Sequence, residues 1–281
     1  MMKKYLELTK FEHTIFALPF ALASLVLLYQ DMPSLWKLFW VILAFISART
    51  AGMALNRLID LPIDELNPRT KNWVHARGEV SKEEIKRLII LSSGLFIFSS
   101  LMINLYAFLL SPVVLFLLWL YPYAKRITYY PHFVLGMVYL LIPLAIDVSF
   151  NERFSLNALI LGLAMGSWVA GFDILYALQD YDFDKSHGLK SIPVKFGIEG
   201  ALFISRALHL LTFLFLFLLA LRVEFLGPLY LLGLLAIAGF LYYEHSLIKP
   251  HDLSKINKAF FTVNGYISVV FFLVVLLDRL L

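Results

Sequence analysis

The sequence predicts an all-α, polytopic membrane protein with nine transmembrane helices. Its 281 residues are 60% hydrophobic and only 16% charged, whereas a soluble domain is usually about 45–50% apolar and about 25% charged. Nine apolar runs approach the roughly 20 residues needed to cross a bilayer. The chain contains no cysteine, which excludes disulfides and thiolate metal sites. Most lysines and arginines also fall on one side of the membrane when the nine runs are threaded through it.

The nine runs lie at 14–30, 35–56, 86–106, 109–124, 132–149, 156–180, 198–222, 226–247 and 259–278. The third and fourth are separated because one helix from Lys86 to Ala124 would be about 58 Å long, too long for a single crossing. Ser111-Pro112 is the expected break, since proline interrupts the helical hydrogen bonds.

The positive charges give the expected orientation. With the N-terminus inside, 20 of the 24 lysines and arginines fall on the inner side, and Lys37, Arg153, Arg222 and Arg279 fall outside. Because inner loops are enriched in Lys and Arg, the charged face is expected to be cytoplasmic. The expected location is a bacterial or archaeal cell membrane, with the active site on the cytoplasmic side.

Two groups of acidic and amide side chains end the second and sixth runs. The first acidic cluster consists of Asn56, Asp60 and Asp64, and the second consists of Asp173, Asp180 and Asp184. Spacings of four and seven place each group on one helical face. Pro62 predicts a kink or an end of the helix, which would put Asp64 at the start of a loop. Because the clusters are four runs apart, an internal four-helix repeat is expected within a single domain spanning residues 1–281.

Carboxylates at membrane depth line a polar cavity or bind a partner. Mg²⁺ prefers oxygen ligands and typically binds through one or two carboxylates plus phosphate. The inner loops carry cations that suit the phosphate, namely Arg69, Lys71, Arg77, Lys125 and Lys190. The pattern therefore favours a metal-bridged diphosphate site. The alternative, solvated helix ends, is less favoured because both clusters lie on one face and both precede basic loops.

These motifs resemble the UbiA superfamily of intramembrane aromatic prenyltransferases. "NRLIDLPID" resembles its first Asn/Asp motif, "DILYALQDYDFD" its second, and "YPYAK" the YxxxK motif between them. "FEHTIFALPFA" and "NPRTKN" are similar to the branch that includes 4-hydroxybenzoate polyprenyltransferases. The similarity covers nearly the whole chain.

The resemblance implies nine transmembrane helices around a central cavity, Mg²⁺, a polyprenyl diphosphate donor and an aromatic acceptor, usually a quinone precursor. It implies that the first acidic cluster holds one metal ion and the second another. Lys125, with Tyr121, would contact the diphosphate. The expected partners are thus the donor, an aromatic acid and the lipid bilayer, with no nucleic acid.

One position departs from the family. Members often carry an Arg-Pro pair shortly after "RTKN", where this chain has Trp73 and Val74. A phosphate-side cation is therefore missing, and either His75 or Arg77 is expected to substitute.

Catalytic roles follow from the chemistry of an allylic diphosphate. Lys125 and Arg69, together with metal ions held by Asp60 and Asp64, would stabilise the leaving group. Asp180 is the favoured acceptor of the ring proton.

Arg49 lies inside the second run, where it would pair either with an acceptor carboxylate or with a structural acid. Glu12 and His13 would either cap the first helix or line the site.

The preferred acceptor is 4-hydroxybenzoate, with another aromatic acid of a menaquinone (futalosine-type) route as the alternative. A cation-coupled transporter is disfavoured because its polar residues should lie near the midplane. A phosphotransferase acting on CDP-alcohols would carry a DxxDGxxAR pattern, which this sequence lacks. A non-catalytic lipid-binding scaffold would tolerate loss of Asp60 and Asp180.

Overall fold

A computed structural model describes residues 2–10 and 14–281 of the protein. Glu12 and His13 lie outside the described residues, so their predicted roles stay predictions. The helices are α1 (Met2–Leu8), α2 (Thr14–Leu28), α3 (Leu35–Asp64), α4 (Lys82–Ile103), α5 (Leu105–Ile127), α6 (Pro131–Asn151), α7 (Leu156–Ala177), α8 (Tyr181–Ser186), α9 (Ile192–Ala220), α10 (Pro228–Leu247) and α11 (Asn264–Leu280). A 3₁₀ turn, Leu178–Asp180, joins α7 to α8, and a π-helical turn, Lys258–Val263, leads into α11.

The described residues confirm the all-α membrane fold. Seven helical segments among them are long and apolar enough to cross a membrane. Each predicted run corresponds to a helix, but α2 has only 15 residues and α10 is not one of the seven segments, so the count of nine crossings stays a prediction. Large apolar side chains such as Leu91 and Phe203 are 71% exposed, as expected for a surface that contacts lipid.

The predicted break at Ser111-Pro112 is wrong. The chain breaks at Asn104, which has extended backbone angles and caps α5 by accepting a hydrogen bond from the amide of Ala107 at 2.8 Å. Pro112 lies inside α5 and cannot donate to the carbonyl of Phe108. The hydroxyl of Ser111 donates to that carbonyl at 2.8 Å instead, so the helix continues through the proline.

The second run is longer than predicted. Helix α3 continues past residue 56 and through Pro62 to Asp64. The Asp64 side chain therefore projects from the last residue of a helix and not from a loop, which corrects the expectation based on Pro62. The first acidic cluster consequently lies along a single helical face.

Helix α7 lies at the centre of the fold, packed mainly between α6 and α9. The contact between α6 and α7 is close because glycines meet there. A Cβ added to Gly166 would lie 2.8 Å from the backbone oxygen of Gly136, and one added to Gly136 would lie 2.7 Å from the oxygen of Gly166. This close approach fixes the position of α7, which carries Asp173 of the second acidic cluster and leads directly into the turn and helix α8 that carry Asp180 and Asp184.

We expect Gly166→Ala to reduce the free energy of unfolding by about 1–3 kcal/mol, because the new methyl group overpacks a backbone contact. Thermal unfolding in detergent measures the change. Gly239→Ala in α10 is the matched control, since no atom of a neighbouring described element lies within 4 Å of its added Cβ. Equal stability of the two variants would contradict the close approach.

Candidate functional site

A cavity of about 830 Å³ lies between α2, α3, α4, α5, α6 and α7, which is in the usual size range for small-molecule sites. We call the part lined by the two acidic clusters the polar end. The remainder, the apolar end, is lined by side chains such as Leu25, Val41 and Ile142. Val41 and Asn56 lie on the same helix, about 22 Å apart at the usual rise per residue. The cavity therefore has an elongated apolar part next to a compact charged part.

Asp60 lies at the centre of the first acidic cluster. Its Oδ2 atom accepts from the Nζ of Lys125 at 2.7 Å and from the Nδ2 of Asn56 at 3.3 Å, and its Oδ1 accepts from Arg126 at 3.1 Å. Only 5% of Asp60 is exposed. A buried carboxylate is stable only when paired, and here both cations come from the last turn of α5.

Asp64 is held by a histidine. The Nε2 of His75 lies 2.8 Å from the Oδ2 of Asp64, and the backbone oxygen of Asp64 accepts from the hydroxyl of Thr70 at 3.0 Å. His75 is buried, so the loop after α3 is folded back onto the end of that helix. His75, one of the two expected substitutes for the missing cation, therefore contacts an acid of the first cluster.

Asp173 contacts a histidine from α6. The Nδ1 of His132 lies 2.7 Å from the Oδ2 of Asp173, while its Nε2 lies 3.4 Å from the backbone N–H of Ile192. Because Nε2 accepts a hydrogen bond from that N–H, the ring proton is on Nδ1, which donates a hydrogen bond to Asp173. The ring orientation of His132 thus fixes the Asp173 carboxylate.

Asp180 is bound by the loop between α3 and α4. The Nδ2 of Asn67 donates to its Oδ1 at 2.8 Å, and Arg69 donates to both oxygens, with Nε 2.9 Å from Oδ1. Burial acts to lower the pKa of Arg69, but the hydrogen bond and charge of Asp180 outweigh it and raise the pKa above its usual value. This fork-shaped pair joins the loop after α3 to the second acidic cluster.

The other predicted site residues fall into two groups. Arg49, Asp184, Lys190 and Tyr121 line the cavity. Of the described residues, Lys71 and Arg77 are exposed and do not belong to the cavity wall, and Arg77 forms an ion pair with Glu79 at 2.9 Å. Because these two side chains point outward, the structure gives neither a place beside the acidic clusters, and Arg77 does not replace the missing cation.

Several side chains at the polar end were not predicted from the sequence: Asn67, Arg126 and His132. Arg126 directly follows the "YPYAK" motif, and Asn67 begins "NPRTKN". Their positions next to these motifs could therefore have predicted that they belong to the site. His132 carried no such signal, because a single histidine at a helix start is not specific. Its contact with Asp173 depends on the packing of α6 against α7.

The donor atoms at the polar end suit Mg²⁺, since they are carboxylate and amide oxygens. Among the described residues, however, no three His, Cys, Asp or Glu side chains converge closely enough to hold a metal ion. The acids instead contact Lys125, Arg126 and Arg69. Because Mg²⁺ typically takes one or two protein carboxylates and completes its shell with water and phosphate, the residues fit a site completed by a diphosphate.

The fold and site together define a class: a helical membrane protein whose cavity combines an apolar part with acidic and basic side chains at one end. The profile of the UbiA prenyltransferase family matches residues 17–273. The chain therefore belongs to this family and is a prenyltransferase, which decides against the transporter, phosphotransferase and scaffold hypotheses.

Individual relatives agree with this assignment. The 4-hydroxybenzoate octaprenyltransferase of Pasteurella multocida is 32% identical over 275 residues, covering 95% of this chain and 92% of that protein. That of Aliivibrio salmonicida is 33% identical, with 95% of each chain covered.

Solved structures share the fold. The apo structure of a UbiA homolog from Aeropyrum pernix K1 superposes with a TM-score of 0.85 at 33% identity, covering 95% of this chain and 98% of that one. A UbiA homolog from Archaeoglobus fulgidus bound to GPP and Mg²⁺ has a TM-score of 0.78 at 22% identity, with 99% and 100% covered.

Proposed function

We propose that this protein transfers a polyprenyl group from polyprenyl diphosphate to an aromatic acid, with 4-hydroxybenzoate as the favoured acceptor. The observation that carries the proposal is the cavity, in which an apolar part is continuous with a polar end containing both carboxylates and cations. An isoprenoid tail suits the apolar end, and a metal-bound diphosphate suits the polar end. The names of the relatives support the acceptor, and the Archaeoglobus homolog bound to GPP and Mg²⁺ supports the donor and the metal.

In this proposal the two acidic clusters hold Mg²⁺ ions from opposite sides: Asn56, Asp60 and Asp64 from α3, and Asp173, Asp180 and Asp184 from the end of α7 and from α8. Bound Mg²⁺ supplies positive charge that stabilises the diphosphate as it leaves. His75 and His132 orient Asp64 and Asp173 through the hydrogen bonds described above. Thus the protein contributes fixed carboxylates and the donor contributes the phosphate oxygens.

The cations bind the diphosphate. Lys125, Arg69 and Lys190, with Tyr121, surround the polar end and stabilise the negative charge that develops as the C–O bond breaks. Lys125 and Arg69 pair with Asp60 and Asp180, so these two carboxylates would hold the metal ions and these two cations would contact phosphate only after each pair had exchanged partners.

The acceptor is proposed to lie against Arg49. The Nη2 of Arg49 donates to the backbone oxygen of Lys10 at 3.0 Å, and the side chain also lines the cavity. Its charge suits the carboxylate of an aromatic acid. The ring carbon ortho to the phenol bonds to the allylic carbon as the C–O bond breaks and pyrophosphate leaves. The ring proton goes to one carboxylate oxygen of Asp180, whose other oxygen would hold the metal.

With 4-hydroxybenzoate as the substrate, we expect Arg49→Gln to raise the acceptor KM about 10–100-fold, because an ion pair with the carboxylate is lost. The donor KM should stay nearly constant. Steady-state kinetics in detergent measure the acceptor KM and the donor KM. Arg206→Gln is the control, because Arg206 is an exposed residue of α9. The methyl ester of the acceptor should react equally slowly with the unmodified protein and with Arg49→Gln. A large effect of Arg49→Gln on the reaction of the ester would contradict a contact with the carboxylate.

The function itself is tested by incubating the purified protein with Mg²⁺, geranyl diphosphate and a panel of aromatic acids. The panel includes 4-hydroxybenzoate and aromatic acids of menaquinone routes. The expected result is metal-dependent release of pyrophosphate together with a prenylated product. No transfer to any acceptor, with the donor intact, would refute the proposal. A preference for another acid would mean that this acid, and not 4-hydroxybenzoate, is the acceptor.

The side of the membrane from which the acceptor enters is tested in right-side-out and inverted vesicles. From the charge distribution, we expect a water-soluble acceptor to reach the site from the cytoplasmic face only.

A further inference from the structure

We propose that Trp73 is a positioning residue that holds Arg57, Arg69 and Lys10 at the polar end of the cavity so that they bind the diphosphate of the donor. This inference rests on the proposed function and adds a role for the residue at which the chain departs from its family. It concerns how charge is kept available for the substrate.

The Trp73 ring lies among three cations. The guanidinium carbon of Arg57 is 4.3 Å from a ring centroid, the Nζ of Lys10 is 5.0 Å away, and the guanidinium carbon of Arg69 is 5.3 Å away. All are within the roughly 6 Å over which a cation is attracted to an aromatic face. The three come from separate segments: the turn after α1, helix α3, and the loop that follows α3. Trp73 therefore contacts cations from three separate segments of the chain at once.

Arg69 has a ring on each side. Its guanidinium carbon also lies 5.3 Å from the ring centroid of Tyr176 on α7. Arg57, Trp73, Arg69 and Tyr176 thus alternate cation and ring across the polar end, and all four side chains line the cavity. This column joins α3, its following loop and α7; α3 carries the first acidic cluster, and α7 carries Asp173 of the second.

The physical need for such a column is the repulsion among like charges. Asp180 relieves part of this repulsion at Arg69 by pairing with it, but a carboxylate paired with Arg57 as well would neutralise a second cation and compete with phosphate. A ring face attracts cations without carrying a net charge. Consistent with this, Arg57 is 5% exposed and donates to two neutral oxygens, the carbonyl of Leu8 and the side chain of Asn56. Within the described residues, no carboxylate lies at ion-pair distance from it.

The sequence departure has the same explanation. The resemblance noted from the sequence led us to expect an Arg-Pro pair shortly after "RTKN", where this chain has Trp73 and Val74. In this chain the position faces three cations at about 4–5 Å, so a fourth would increase the repulsion. Trp73 organises the cations already present and does not add another.

The test measures the affinity of inorganic pyrophosphate in the presence of Mg²⁺ by titration calorimetry, which needs no acceptor and no turnover. Trp73→Leu removes the ring and Trp73→Phe keeps a smaller one. We expect Trp73→Leu to weaken pyrophosphate binding about tenfold or more and Trp73→Phe to weaken it about threefold or less. The donor KM should follow the same order, with the acceptor KM unchanged. Trp36→Leu is the matched control, because Trp36 is 58% exposed and is not a cavity residue.

If Trp73→Leu does not fold, trifluorotryptophan incorporated at position 73 replaces it, since fluorine weakens the negative ring face with little change of shape. Weaker pyrophosphate binding by the fluorinated protein supports the inference. Unchanged binding by the fluorinated protein, or equal binding by folded Trp73→Leu and Trp73→Phe proteins, overturns it. Failure of the unmodified protein to bind pyrophosphate with Mg²⁺ or to transfer a prenyl group would instead refute the proposed function, so the two failures are distinguishable.

Discussion

Asp60→Asn and Asp180→Asn should each reduce prenyl transfer on the order of 10³-fold or more. Each substitution removes a carboxylate from one of the two acidic clusters proposed to hold metal. Loss of a single preorganised electrostatic group already lowers the rate about 10²–10³-fold. The paired design tests the two clusters separately. Single-turnover release of pyrophosphate from geranyl diphosphate, followed across Mg²⁺ concentrations, measures the loss.

Asp182→Asn is the matched control for these variants. Asp182 belongs to the same "DYDFD" stretch as Asp180, but it is exposed and does not line the main cavity. We expect it to retain nearly full activity. If it were as inactive as Asp180→Asn, or if the two site variants kept full Mg²⁺-dependent activity, the assignment of the acidic clusters would fail. Thermal unfolding in detergent confirms that each variant is folded.

Helical periodicity explains why much of the site could be predicted. Spacings of four residues along α3 place Asn56, Asp60 and Asp64 on one face, whatever the rest of the fold does. The same geometry places Tyr121 one turn before Lys125. All five side chains line the cavity, so the local pattern was sufficient for the residues that stand on helices.

Partners across the cavity could not be predicted in this way. Asn67 and Asp180 are separated by 113 residues, and their contact at 2.8 Å depends on how the loop after α3 packs against α7. Arg69 and Lys71 show the same limit: both were candidates for the diphosphate, yet one points into the cavity and the other is exposed. Loop path is set by tertiary contacts, and spacing alone does not encode it.

Helix boundaries were missed for a different reason. Proline predicts a break at both Pro62 and Ser111-Pro112, but α3 and α5 continue through these residues. In α5 the serine hydroxyl satisfies the carbonyl that proline leaves unpaired. In a bilayer such local compensation is strongly favoured, because no water is present to satisfy a free carbonyl. The signal for the true break was Asn104, which suits a helix cap.

Lys125→Met should lower the rate of prenyl transfer about 10²–10³-fold, chiefly in kcat, because the cation stabilises the leaving diphosphate as charge develops. The fold should survive the change. Arg126 also contacts Asp60, at 3.1 Å, so the buried carboxylate keeps a charged partner. Pre-steady-state measurement of pyrophosphate release with saturating donor and acceptor isolates the chemical step.

Lys185→Met provides the comparison, since Lys185 is an exposed lysine of α8 close in sequence to Asp184. Its activity should match that of the unmodified protein. Lys125→Arg should recover part of the lost rate, because charge is restored but the shape of the donor group differs. A Lys125→Met protein with more than about a tenth of normal activity would show that Arg69 and Arg126 suffice, since one preorganised donor is ordinarily worth more than tenfold.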